Sequence, residues 1–257
     1  MGAPPIEVEF VDPEGNSARQ ISILENCLRQ SVDALIVMPI DPRATHHILR
    51  RFKEAKVPVI VVGNEVADPE LFDACVLGHH HQFGKEAGAF FADTMEGEGN
   101  LVEILGIAAS PITRDRSTGF QEALAPHPRM QIVDTCCGDW LYAKAFDEFS
   151  SVLDHHPHLD GVFAHNDEMA AAALEVARQH GREDELLIVG IDALPSAIKL
   201  VNQGRQAATF LYPSPGKDAV HALQALLNGE PCMKRVLLKT WAYHSNSRIA
   251  AWKRRRS

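Results

Sequence analysis

The sequence predicts an α/β fold of two doubly wound, parallel-sheet lobes, and three observations point there. Short β-branched runs alternate with helical patterns along nearly the whole chain. Several of those runs, such as Leu35-Ile36-Val37 and Leu187-Ile188-Val189, are apolar without alternation, as strands covered by helices on both faces are. Polar and aromatic residues gather where the runs end, and ligands of open parallel sheets bind beyond those carboxyl ends.

Taken in order, Ile6–Phe10 reads as a strand, followed by a helix with Ile21, Leu24 and Leu28 on one face. A strand at Ala34–Met38, a helix through His46–Ala55 and a strand at Val59–Val62 come next. A short strand at Cys75–Leu77 leads into a helix whose apolar face holds Phe83, Ala87, Phe90 and Phe91. The second half repeats the scheme, with strands at Leu101–Leu105, Ile132–Cys136, Gly161–Ala164, Leu187–Ile191 and Ala207–Leu211. Helices are expected near Thr113–Leu124, Tyr142–Leu153, Glu168–His180, Ser196–Gln203 and Gly216–Leu227. Pro195 pre-sets the first turn of its helix, and Gly204 stands where that helix should stop. Repeated β-α units of this kind cross over right-handedly and wind on both faces of a sheet.

Composition excludes several classes. With 257 residues, 46% apolar and 23% charged, the chain has ordinary globular proportions, and neither disorder nor a low-complexity fibre fits. A net charge of −9 argues against phosphate backbone as a partner, so no nucleic acid is expected. The longest apolar stretches fall far short of the ~20 residues that cross a bilayer. Met1-Gly2-Ala3-Pro4-Pro5 carries neither a basic nor an apolar leader segment, so either the chain is cytosolic or a leader was removed or never included.

Enzyme templates mostly fail: the chain contains no GxSxG, HExxH or GxxxxGK[ST], and Gly97-Glu98-Gly99 precedes a strand rather than following one. No catalytic residue and no cofactor is expected. Histidine is plentiful at 13, and His79-His80-His81 or His155-His156 with His158 have ligand chemistry for zinc or nickel. Adjacent histidines diverge in either regular structure, so no metal site is expected, and they read as solvated residues at helix ends. Cys136-Cys137 reads as two small hydrophobes ending a strand, with a redox or metal pair as the alternative. The basic tail Lys253-Arg254-Arg255-Arg256 reads as a solvated terminus, with a phosphate or acidic lipid contact as the alternative.

One constellation suits a small polyol. Trp140 offers a flat apolar face to sugar C–H groups, and Asp192 accepts from two hydroxyls. Arg116 donates through a fixed fork, and Asn166 does both. Each has a plainer reading: Asp192 and Asn166 as helix N-caps, Arg116 as an exposed helical charge, Trp140 as core packing. All four fall at the same end of their β-α units, which favours the shared site.

These residues lie in stretches that resemble the periplasmic sugar-binding proteins of the ribose-binding type, whose ligand-binding core is shared with lactose-repressor-type regulators. The matching segments are Val32–Pro39, Val57–Val62, Gly106-Ile107-Ala108 through Arg114–Phe120, Val162–Ala170 and Val189–Asp192. The resemblance implies a type I periplasmic-binding-protein fold, with lobes at 1–78 plus 213–240 and 79–212 plus 241–257, joined by a hinge that closes on sugar in an interlobe cleft. Its ligand arginine falls on Arg116, its stacking aromatic on Trp140, its asparagine on Asn166 and its aspartate on Asp192. Its late polar ligand falls on Tyr212. In the first lobe Asn64, with Gly63, stands where ribose binders carry an Asp-Arg pair, and His79-His80 replaces an Asp-Asn pair.

The resemblance also implies a periplasmic or cell-envelope location. Its partners would be a membrane permease of an ABC importer or a chemoreceptor, and the chain a monomer. The alternative within the same fold is a sugar-sensing effector domain of a regulator or receptor. Family members open with a strand and helix that this chain lacks, Ile6–Phe10 corresponding to their second strand. The first lobe is therefore expected to be incomplete; an incomplete chain is the favoured explanation, with a rearranged lobe and a donated strand as the alternatives.

Overall fold

Val59-Ile60-Val61-Val62 is buried at every position, and it forms the second strand of a four-stranded parallel sheet. In a computed structural model that describes residues 7–256, this sheet comprises β1 (Leu35–Val37), β2 (Val59–Val62), β3 (Ala74–Gly78) and β9 (Arg235–Leu238), in the order β1-β2-β3-β9. One face packs against α1 (Ser17–Arg29) and α2 (His46–Glu54) through Leu24, Ile48, Leu49, Phe52 and Val61. The other packs against α8 (Gly216–Leu227) through Ile60, Val76, Ala219 and Leu223. These elements make one compact unit, Met1–Gly78 with Ser214–Leu238.

The second unit, His79–Pro213 with Lys239–Ser257, holds a six-stranded sheet. Its strands are β4 (Glu98–Leu105), β5 (Arg129–Cys137), β6 (Gly161–Ala164), β7 (Leu187–Asp192), β8 (Ala208–Leu211) and β10 (Ala242–His244). The order is β10-β8-β7-β6-β4-β5, parallel except for β10, which runs antiparallel along β8. The chain steps outward from β4 to β5 and then returns past β4 to β6. That reversal is the topological switch point where such sheets open a crevice. α5 (Tyr142–His155) and α6 (Asp167–Gln179) cover one face, with Phe149, Met169 and Leu174 in its core. α3 (His80–Thr94), α4 (Pro111–Leu124) and α9 (Asn246–Arg256) cover the other, with Phe83, Phe91, Phe120 and Trp252.

Two glycines set how closely α3 and α4 approach. A Cβ at Gly84 would lie 1.8 Å from the Arg116 carbonyl oxygen, and one at Gly119 would lie 1.9 Å from that of His81. Backbone meets backbone at this crossing, and it fixes Arg116 and His80 relative to each other. α7 (Pro195–Asn202) begins on Pro195 and ends before Gly204, whose φ of +72° is the left-handed stop expected there.

Two expectations are corrected. Residues 7–10 form no strand; Val8 and Phe10 are 73% and 89% exposed, while Ile6 lies outside the described residues. Alternating Glu7-Val8-Glu9-Phe10 has the right period, but no described strand pairs with it, and an unpaired strand has nowhere to place its backbone hydrogen bonds. His80 is not a solvated helix-end residue, being only 8% exposed. The basic tail is solvated as expected: Lys253–Arg256 are exposed in the last turn of α9, where Arg255 and Arg256 pair with Asp184 and Asp160, while Trp252 and Arg248 of the same helix are buried.

Candidate ligand-binding site

Arg116 stands on the second turn of α4, where a charged side chain would normally reach water, yet it is 3% exposed. This overturns its reading as a surface charge. A buried guanidinium needs acceptors, and its Nη1 donates to the His165 carbonyl. The His165 ring is held by Glu103 on β4, Nε2 to Oε1 at 2.8 Å, and the Ser117 hydroxyl donates to the other carboxylate oxygen at 3.1 Å. Glu103 and His165 are both fully buried, and burial lowers the imidazole pKa despite the carboxylate. A chain of polar contacts through the sheet thus orients Arg116. Its own pKa falls to about 10 through burial, opposed by Asp192, Tyr212 and Asp167.

Trp140 lies under the same guanidinium, with the Arg116 Cζ 5.5 Å from the ring centroid. A Cβ at Gly106 would stand 2.1 Å from the indole, so this glycine makes the space the ring occupies. Trp140 and its neighbour Asp139 both take positive φ, +67° and +51°, an unfavoured conformation for residues with a Cβ. Asn166 caps α6: its Oδ1 accepts from the Met169 N–H at 2.9 Å, and its Nδ2 donates to the Trp140 carbonyl at 3.1 Å. The capping role read for Asn166 is therefore real, and the same side chain ties the Trp140 loop to β6.

Asp192 ends β7 at φ +130°, followed by Ala193 at +56°. Such strain persists only where surroundings enforce it. Asp167, 2% exposed at the start of α6, does so: its carboxylate accepts from the Leu194 N–H at 2.9 Å and from the Thr209 hydroxyl at 2.7 Å. Thr209 Oγ1 in turn accepts from the Ala193 N–H at 3.1 Å. Burial raises the Asp192 pKa to about 6, with Arg116 pulling it down, and raises that of Asp167 to about 7. Tyr212 follows β8, its N–H donating to the Asp192 carbonyl at 3.4 Å.

Arg116, Trp140, Asn166, Asp192 and Tyr212 therefore come together beyond the carboxyl ends of β4 to β8, beside the switch point. Asn64 belongs to the first unit, where its amide donates to the Pro39 carbonyl at 2.8 Å. Sequence reasoning missed Glu103, His165, Asp167 and Thr209. Glu103 gave one signal, a lone acid inside the apolar run Leu101–Leu105; the others gave none without the sheet register. Among the described residues no cluster of histidine, cysteine or acidic side chains has the makings of a metal site. Nor is any helix among them long and apolar enough to cross a membrane.

A family model described as periplasmic binding protein domain matches residues 2–231. A ribose import binding protein from Bacillus subtilis is 28% identical over 233 residues, spanning 90% of this chain and 75% of that protein. The periplasmic binding protein component of an arabinose ABC transporter from Shewanella sp. ANA-3, solved with bound L-arabinofuranose, superposes with a TM-score of 0.86 at 27% identity. The match covers 96% of this chain and 84% of that one. The fructose-binding periplasmic domain of a hybrid two-component system gives 0.84 at 27% identity, covering 97% and 84%.

Proposed function

Because the chain belongs to the periplasmic binding protein domain family, whose members bind rather than catalyse, we propose that it captures a small uncharged sugar or polyol and delivers it to an ABC importer. The observation that carries this reading is the buried guanidinium of Arg116, flanked by the Trp140 indole and the Asp192 carboxylate. A planar fork, a charged acceptor and an apolar wall are what a compact polyhydroxylated ligand needs. In this reading Arg116, Asp192, Asn166 and Tyr212 hydrogen-bond hydroxyls, and Trp140 shields the ring. Closure around the ligand is what the resemblance supplies, the ligand favouring the state to which it binds more tightly.

Relatives that bind ribose, fructose and arabinofuranose narrow the class to monosaccharides and related polyols, and their names carry the periplasmic location to this chain as part of the proposal. A sensing role has one observation in its favour, the similarity to the periplasmic domain of a two-component system. Neighbouring permease and ATPase genes favour transport; a fused or adjacent kinase favours sensing. The binding claim itself is tested by calorimetric titration with pentoses, hexoses and inositols, using amino acids as a contrast panel. Saturable one-to-one heat from a sugar or inositol is expected. Heat from amino acids alone overturns the reading.

A further inference from the structure

We propose that His80 is a further specificity-determining residue of this site, its imidazole contacting a hydroxyl of the bound polyol; the inference rests on the polyol reading. His80 opens α3 and is 8% exposed, yet neither Nδ1 nor Nε2 has a hydrogen-bond partner. Its ring lies 5.5 Å from that of Phe83 and 5.4 Å from that of Tyr212, centroid to centroid. Other histidines differ: His81, His156 and His180 each sit beside a carboxylate.

Leaving buried polar atoms unpaired is costly, and proteins rarely tolerate it without a use. Here the unpaired atoms cluster. Arg116 Nε is also buried without a partner, and the guanidinium is close enough to depress the His80 pKa, which burial chiefly drives to about 3. The imidazole is therefore neutral at physiological pH, with one ring nitrogen donating and the other accepting. A sugar hydroxyl does both as well, and Arg116 Nε offers a donor to a second oxygen. An apolar ligand would satisfy none of these three nitrogens. A cationic one would be repelled by the Arg116 guanidinium, which adds to burial in opposing a positive charge on His80.

His80→Phe tests this, because it keeps a ring against Phe83 and Tyr212 while deleting both nitrogens. We expect the unliganded variant to melt no lower than wild type, and its Kd for the sugar selected by titration to rise about tenfold. His80→Gln, which restores a donor and an acceptor, should recover part of that loss. In the wild-type chain the His80 imidazole nitrogen resonances should shift on saturation with the same sugar, a readout that does not depend on either variant folding. Sugar binding at wild-type affinity by H80F, or unmoved resonances, overturns the inference alone. A wild-type chain that binds no sugar overturns the polyol reading and the inference together.

Discussion

Asp192 shows how one residue combines strain, charge and position. Its φ of +130° is held by the Asp167–Thr209–Ala193 contacts, and its carboxylate is drawn toward ionisation by Arg116. Asp192→Ala removes a charged acceptor, and calorimetry should show a loss of roughly 2–3 kcal/mol of sugar binding; unchanged affinity would remove Asp192 from the site. The pair Asp167 and Asp192 also makes a pH prediction. Burial raises both folded-state pKa values, to about 7 and about 6. In the unfolded chain both titrate near the ordinary value of about 3.9. Between those limits the folded state holds more protons, so the contribution of these groups to stability is present at low pH and is lost as pH rises through about 7. Asp167→Asn should flatten that slope in denaturant titrations run across pH 4 to 7. A slope as steep as wild type would show that Asp167 does not cause it.

The α3–α4 crossing is where element packing becomes site geometry. Gly84 and Gly119 let the two backbones meet, and the residues at that contact, Arg116 and the His80-His81 turn, belong to the site's surroundings. Gly119→Ala would push a Cβ into the His81 carbonyl and should cost about 1–3 kcal/mol, seen as a lowered melting temperature. Because the displaced helix carries Arg116, sugar affinity should fall as well. A stable variant with intact binding would mean that the crossing tolerates more than the geometry allows. Elements of this kind were legible in part. Apolar runs such as Leu187-Ile188-Val189 announced buried parallel strands, and Pro195 and Gly204 bracketed their helix. Residues 7–10 misled because alternation reports a half-buried face but not a partner to pair with. α9 escaped notice because its Asn246–Arg256 sequence is mostly polar, and its burial rests on Trp252 and Arg248 alone.

Across the molecule, the second unit carries the chemistry for which the account argues. Arg116, Trp140, Asn166 and Asp192 were readable because each follows a strand that the periodicity exposes. What hid was the support beneath them: Glu103 reaches His165, and Asp167 reaches Thr209, only through the registers of neighbouring strands. The pairing of distant polar residues depends on topology, and no local pattern encodes it. The positive-φ residues Trp140, in the loop after β5, and Asp192, the last residue of β7, lie at the carboxyl edge of the second unit's sheet, which is where a site that stores backbone strain would hold it. The most direct test is a crystal structure of the chain with the sugar that titration selects. The account predicts the sugar ring against Trp140, with hydroxyls within hydrogen-bonding distance of Arg116 and Asp192. A sugar seated elsewhere, with those three side chains still touching only protein, would contradict it.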